Sequence, residues 1–314
     1  LCQYHVFGRL QHSVNTEVKG QEISRHHAAM AWRDGKWMIK DLSTNGTWLN
    51  GSKITKNQFV AMEKGDHIQF GQENNPAFTL FNDRAPVDSL CRCGLERGTT
   101  LNELPSELIV ELDSYHLLPD MESAKTVVYK NNGRWWVEDL VDQDKKHPLK
   151  DKERIQIGRE HWQFYSVEDC SETLSLSQQD MMLNELSADF NVSQDEESIH
   201  LSVRAKEQSF DLKIRNYHYL SLYLARKRAE DQLRGVAPSE QGWIYVEQVS
   251  KDLRMEENAV NLHVHRARKQ FSEQLRSVAD APNFIERRPS QLRIGIAHLR
   301  VLKADAVECE LSQH

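Results

Sequence analysis

The sequence predicts a multidomain chain, mainly β, with an α/β module at its C-terminal end. Three observations carry that expectation. Short strand-like runs punctuated by turn dipeptides fill the first part. A weaker echo of the same runs follows, with Gly133–Leu140 parallel to Gly35–Leu42 and Leu149–Gly158 parallel to Met62–Gly71. Last come helix, turn, helix and a basic hairpin.

The 314 residues suffice for two or three domains, at ~100–200 residues each. No apolar run approaches the ~18 residues of a membrane span, and no signal peptide is visible after Leu1, although an upstream segment can have been lost. The cysteines are Cys2, Cys91, Cys93, Cys170 and Cys309, an odd and scattered set that suggests reduced thiols in a cytoplasmic protein. Cys91-Arg92-Cys93 is too tight for a usual zinc pair, so no metal is expected. The net charge of −7 is uneven: 198–300 carries 18 Lys/Arg against 12 Asp/Glu, hence +6, and the remainder −13. That asymmetry directs any polyanion to the C-terminal module.

The first domain is read as 1–85. Leu1–Arg9 is a strand with Tyr4, Val6 and Cys2 facing inward. Met30–Arg33 and Lys36–Lys40 flank Asp34-Gly35, a strong hairpin signal. Thr47–Leu49 ends at the Asn50-Gly51 turn, and His67–Phe70 and Phe78–Phe81 are further strands of a β-sandwich. Arg9, Ser24, Arg25 and Thr44 fall between strands, where a guanidinium fork, hydroxyls and backbone N–H groups can converge on a phosphate. Asn45-Gly46 suits an irregular loop, and Asn45 can pin that loop or a bound peptide's main chain.

In combination, Gly8-Arg9, Ser24-Arg25-His26-His27, Ser43-Thr44-Asn45-Gly46-Thr47 and Gly65-Asp66 resemble the forkhead-associated (FHA) domain over roughly Gly8–Phe81. The resemblance implies phosphothreonine-peptide binding. Arg9, Ser24 and Thr44 would hold the phosphate, Arg25 would assist, Asn45 would grip the peptide backbone, and Gly8 and His27 would be scaffold. Members of this family usually have more strands before the Gly-Arg pair. Only seven residues precede Gly8, so either the N-terminus is trimmed or a later segment completes the sheet.

Residues 86–107 read as a polar linker with Pro86, Gly94, Gly98 and Pro105. The echo, 108–168, resembles a degenerate FHA-like β unit. It lacks the Ser-Thr-Asn-Gly-Thr loop, and the gapless offset puts Glu122 at the Ser24 position and Lys125 at the His27 position. An acidic residue there disfavours phosphate. Residues 169–197 read as an acidic connector, with a helix at Ser177–Leu186 and Thr173, three residues before Leu176, as a conceivable phosphosite.

The C-terminal module is read as 198–300, followed by a tail, 301–314. Ile199–Val203 and Phe210–Ile214 alternate as a hairpin, Asn216 is placed to cap a helix running to Leu233, and Val246–Leu253 and Glu257–Leu275 are further helices. On the last helix Val260, Val264, Ala267, Phe271 and Leu275 share a core face, while Asn258, Leu262, His265, Arg266 and Lys269 share the other. Such side chains can read base edges in a major groove. Arg287 and Arg288 are read at a hairpin tip, placed for phosphates. Val260–Phe271 resembles the recognition helix of response-regulator-type winged helix-turn-helix domains, whose usual Gly-Tyr near the wing's end is replaced here by Gln291–Ile294.

No glycine-rich phosphate loop, kinase signature or nucleophile elbow is present, so no enzyme and no cofactor is expected. The combined expectation is a bacterial-type transcription regulator. Its partners would be a threonine-phosphorylated protein, such as a Ser/Thr kinase or another copy of the chain in a homodimer, and double-stranded DNA. The alternative is a phosphothreonine-dependent signalling adaptor whose C-terminal module binds protein.

Overall fold

The computed structural model describes residues 3–11, 13–73, 75, 77–93, 109–121, 123–140, 145–167, 181–205, 208–304 and 306–312. In chain order the strands begin with β1 (Tyr4–Gly8), β2 (Thr16–Glu17), β3 (Ala28–Arg33), β4 (Lys36–Asp41), β5 (Thr47–Leu49), β6 (Ser52–Lys53), β7 (Phe59–Met62), β8 (His67–Phe70) and β9 (Phe78–Thr79). Then come β10 (Ser89–Arg92), β11 (Ile109–Glu111), β12 (Tyr115–Leu118), β13 (Thr126–Asn131), β14 (Arg134–Asp139), β15 (Lys146–Pro148), β16 (Arg154–Ile157) and β17 (Glu160–Tyr165). The last third holds β18 (Leu186–Val192), β19 (Ile199–Ala205), β20 (Gln208–Ile214), α1 (His218–Leu233), β21 (Ile244–Tyr245), α2 (Val246–Leu253) and α3 (Glu257–Gln274). It closes with β22 (Ile285–Arg288), β23 (Gln291–Ile294), β24 (His298–Lys303) and β25 (Ala306–Leu311). Among the described residues no helix is long and apolar enough to cross a membrane.

The chain forms two compact units, Leu1–Asp113 with Lys150–Leu176, and Ser114–Leu149 with Ser177–His314. The stretch read from sequence as one β unit, 108–168, is therefore shared between them.

In the first unit, sheets β2-β1-β3-β4-β7 and β6-β5-β8-β9 enclose a core of Phe7, Met30, Trp37, Ile39, Ile68 and Phe70. The β3–β4 hairpin turns at Asp34-Gly35, both with positive φ, as its tight connection requires. The inward alternation of β1 is opposite to the sequence expectation. His5 and Phe7 are buried and Tyr4 faces out, because Phe7 packs on Phe70 and His5 bonds Thr16. Among the described residues no strand after β9 joins either sheet of this sandwich. A further sheet, β11-β10-β17-β16, includes part of the expected linker: β10 is an inner strand and Leu90 is fully buried.

In the second unit, sheet β12-β13-β14-β15 repeats the β1-β3-β4-β7 strand order. It also repeats backbone bonds. His27 donates to Phe7 and Leu42 donates to His27; Lys125 donates to Leu118 and Leu140 donates to Lys125. Lys125 thus holds the backbone position of His27, but its side chain is exposed where His27 is buried. Glu122 and Thr173 lie outside the described residues.

Sheet β20-β19-β18-β24-β25 corrects two boundaries. Leu186–Val192 is not connector or helix but the central strand, because Ala188, Phe190 and Val192 alternate into the core. The expected tail is largely β24 and β25, which bury Val301 and Leu311. Helices α1–α3 pack with this sheet and with the small sheet β21-β23-β22 around Leu220, Val249, Val264, Phe271 and Ile294. Asn216 does not cap α1; Tyr217 occupies the N-cap and makes no side-chain cap bond.

Candidate functional site

The phosphate-type loops of the first sandwich are held by buried polar groups behind an exposed rim. Gly8 ends β1, where a Cβ would lie 2.1 Å from the Arg25 carbonyl oxygen, so no other residue fits without moving that loop. Arg9 N–H then donates to Ser24 O at 3.1 Å, bringing the two loops side by side.

His27 is the central brace. Its Nδ1 accepts from Ser24 N–H at 3.0 Å, and its Nε2 donates to Gly46 O at 2.9 Å. Those two bonds need a neutral ring with the proton on Nε2. Burial lowers the His27 pKa, which keeps the ring neutral; the backbone bond to Gly46 and the charges of Asp41 and Glu22 act in the opposite direction.

Behind the Ser43–Thr47 loop, the buried Asp41 Oδ1 accepts from Ser43 N–H, Ser43 Oγ and Thr47 Oγ1 at 3.0, 2.7 and 2.9 Å. Ser43 Oγ in turn accepts from Gly46 N–H at 2.7 Å. Lys53 donates to Asn45 O at 2.9 Å and would meet a Cβ on Gly46, whose φ is +115°. Asp41, Ser43 and Lys53 were not among the sequence candidates. The Asp-x-Ser spacing, a common side-chain turn signal, could have found the first two.

The rim carries the candidate ligand groups. Arg9, Arg25, Thr44 and Asn45 are exposed, and Ser24 is half-buried. Ser24 Oγ accepts from Thr44 N–H at 3.1 Å, leaving its own proton free to donate. Among the described residues neither Arg9 nor Arg25 has an ion-pair partner. Asn45 Nδ2 donates to Glu22 O at 2.7 Å, so this side chain ties two loops together and keeps its Oδ1 for another donor. Two such guanidinium forks on loops that also carry two hydroxyls suit a dianion with three oxygens. A cavity of about 530 Å³, lined by Phe7, Met30, Trp37 and Phe78, shares no residue with these loops. Phosphate recognition on loop tips needs no such cavity.

The C-terminal candidates are distributed differently. Asn258 is exposed, and Leu262 and Arg266 are half-buried. His265 is fully buried, with Nδ1 2.6 Å from the Tyr115 hydroxyl of β12. Lys269 donates to Tyr115 O at 3.0 Å and pairs with Glu273 at 2.7 Å. The face read as groove-facing is therefore covered in part by sheet β12–β15. Arg287 and Arg288 lie within β22, not at the tip, which is Pro289-Ser290. Arg287 donates to Asn261 Oδ1 at 2.7 Å, and Arg288 pairs with Glu240 at 2.9 Å and stacks on Trp243. Among the described residues no group of three or more His, Cys, Asp or Glu could hold a metal ion.

Comparison with known proteins places these observations. Residues 5–71 match the FHA domain family, so the chain carries an FHA domain at its N-terminus. It is 36% identical over 70 residues to the serine/threonine-protein kinase RAD53 of Saccharomyces cerevisiae, covering 22% of this chain and 7% of the kinase. Over 51 residues it is 43% identical to the E3 ubiquitin-protein ligase RNF8 of Bos taurus, covering 16% of this chain and 10% of the ligase. The chain thus matches at most a tenth of the length of these relatives. Among solved structures, the N-terminal FHA domain of S. cerevisiae Rad53p in complex with a phosphothreonine peptide is 34% identical, covering 21% of this chain and 53% of that one, with a TM-score of 0.20. Mycobacterium tuberculosis EmbR in complex with a low-affinity phosphopeptide is 27% identical, covering 27% of this chain and 21% of that one, with a TM-score of 0.23.

Proposed function

We propose that this chain is a phosphothreonine-dependent regulator without catalytic activity of its own. The observation that carries the proposal is a pair of exposed guanidinium groups, Arg9 and Arg25, without an ion-pair partner among the described residues, on the braced loops that also carry the Ser24 and Thr44 hydroxyls. Arg9, Ser24 and Thr44 hold the phosphate, Arg25 adds charge, and Asn45 offers its Oδ1 to the peptide backbone. The match of residues 5–71 to the FHA domain family supports the assignment. The partner is a threonine-phosphorylated protein, which implies a Ser/Thr kinase upstream.

The second sheet set, β12–β15, is a degenerate FHA-like copy. Shared strand order and matching bonds at His27 and Lys125 support that relation. The C-terminal unit is a winged helix in which α3 reads DNA and β22–β23 is the wing. Support comes from the order α1, α2, α3, then a hairpin in sheet β21-β23-β22. A signalling adaptor is the second reading, favoured by the burial of His265 beneath β12 and the bond of the half-buried Lys269 to Tyr115 O.

The test is a degenerate phosphothreonine peptide library, its phosphoserine counterpart and a dephosphorylated control, each presented to the full chain. Selective retention of phosphothreonine peptides is the expected result. Equal retention of all three pools would refute the assignment.

A further inference from the structure

We propose that sheet β12–β15 is a displaceable cap on α3, competing with duplex DNA for the same helix face. The proposal rests on the DNA-binding reading of α3 given above. It starts from an anomaly of burial. Helix α3 has its apolar stripe in the core, yet a second, polar stripe, His265, Arg268 and Ser272, is also buried. Polar residues at that spacing ordinarily face solvent.

What meets His265 and Arg268 is polar too. Tyr115 meets His265 through its hydroxyl and Lys269 through its carbonyl. Glu138 of β14, 2% exposed, approaches Arg268 at 3.7 Å, beyond hydrogen-bond length. The β13–β14 turn is fastened by Asn132 N–H to Ala279 O at 2.8 Å and by Asn131 to Asn283 at 3.3 Å.

The contact is short of negative charge. Among the described residues the one carboxylate acting on Arg268, Arg287 and Lys146 is Glu138. Burial, then the Arg268 charge, pushes the Arg287 guanidinium down to about 10. His265 Nε2, Arg266 Nε and Arg287 Nε are buried without a hydrogen-bond partner. A buried ion pair with imperfect partners is no better than apolar packing for permanence. It does suit a contact that must open, because a phosphate oxygen can replace Glu138, at 3.7 Å from Arg268, as the anionic partner of these cations. When the cap withdraws Tyr115 and Glu138, Arg266 is uncovered, and Lys269 and Arg287 can exchange Glu273 and Asn261 for phosphate oxygens of the duplex.

The experiment uses the full chain, wild type and Tyr115→Ala/Glu138→Arg, which removes the contact to His265 and places another cation against Arg268. Affinity for a mixed-sequence DNA duplex is read by fluorescence anisotropy at about 50 mM salt, where phosphate contacts are least screened. Amide hydrogen exchange over α3 is measured on the same samples. The expected result is faster α3 exchange and binding about tenfold tighter in the variant, corresponding to an open fraction of a tenth or less in the wild type. Arg266→Ala in the opened background should remove the gain. Equal affinity of wild type and variant, with exchange accelerated, would overturn the cap and leave DNA binding standing. Binding by neither, with α3 exposed in the variant, would overturn the DNA reading and the cap with it. If the double variant does not fold, Tyr115→Phe decides: a rise of about twofold in affinity supports the cap, and no change removes it.

Discussion

Sheets β1-β3-β4-β7 and β12-β13-β14-β15 share strand order and the backbone bonds that enter and leave their second strands. Their loop sequences differ, with none of Ser43–Thr47 repeated at 141–145. In the first, His27 lies buried between Ser24 and Gly46, and the loops it braces present Arg9, Arg25 and Thr44 to solvent. In the second, Lys125 takes the His27 backbone position with its side chain in water, and the sheet's polar residues Tyr115 and Glu138 turn to α3. Strand pairing tolerates either outcome, because its bonds are main-chain bonds. What separates an anion-binding edge from a packing surface is a handful of buried side chains that set loop conformation.

The largest effects should come from exchanging those braces. Asp41→Ala strands three donors in a buried site, at a cost of about 3 kcal/mol or more. Equilibrium denaturation measures the loss, and a cost below about 1 kcal/mol would break the assignment of Asp41 as a brace. His27→Lys should destabilise the first sandwich by about 3 kcal/mol, because a buried ammonium replaces a neutral ring and cannot accept from Ser24 N–H. The reverse change, Lys125→His, should be close to neutral in the same denaturation measurement.

A smaller, pH-dependent effect follows from the buried histidines. His27 is held below its ordinary pKa by burial, His5 is lowered to about 3 by the same cause, and His265 is lowered too. His265 is met by the Tyr115 hydroxyl, and the charges of Arg268, Arg287 and Lys146 add to the effect of burial. In each case the unfolded chain binds more protons, so their stabilisation is complete above about pH 6.5 and is lost as pH falls toward the folded pKa. The melting temperature should decline from pH 7 to pH 5. A flat profile would contradict neutral, buried rings. The smallest change expected is Lys53→Ala, which frees Asn45 O at an exposed position and should cost about 0.5–1 kcal/mol by thermal melting.

How much of this was legible in the sequence varies along the chain. The first sandwich is written locally: Asp34-Gly35 and Asn50-Gly51 turn it, and Arg9, Ser24 and Thr44 fall in its loops. The brace from His27 to Gly46 spans 19 residues and is invisible to any local pattern. The strand alternation of Leu186–Val192 was present, but acidic flanks and Asp189 and Asn191 outweighed it. Its partner β24 pairs in parallel from more than a hundred residues away, as Ala188 with Leu299 shows. On α3 the periodicity located Val260, Val264, Ala267, Phe271 and Leu275 in the core, where all are buried. It assigned His265 to solvent because a period reports polarity, and here polarity is covered by another sheet.

The measurement that bears most directly on the central claim is calorimetric titration of the full chain with one library-selected phosphothreonine peptide, beside Arg9→Ala and Ser24→Ala. Each charge-assisted bond to the phosphate contributes about 1.5–3 kcal/mol. Arg9→Ala should therefore weaken binding by about tenfold to a hundredfold, and the double variant by more. Unchanged affinity in the double variant would contradict the assignment of these loops as the phosphate site.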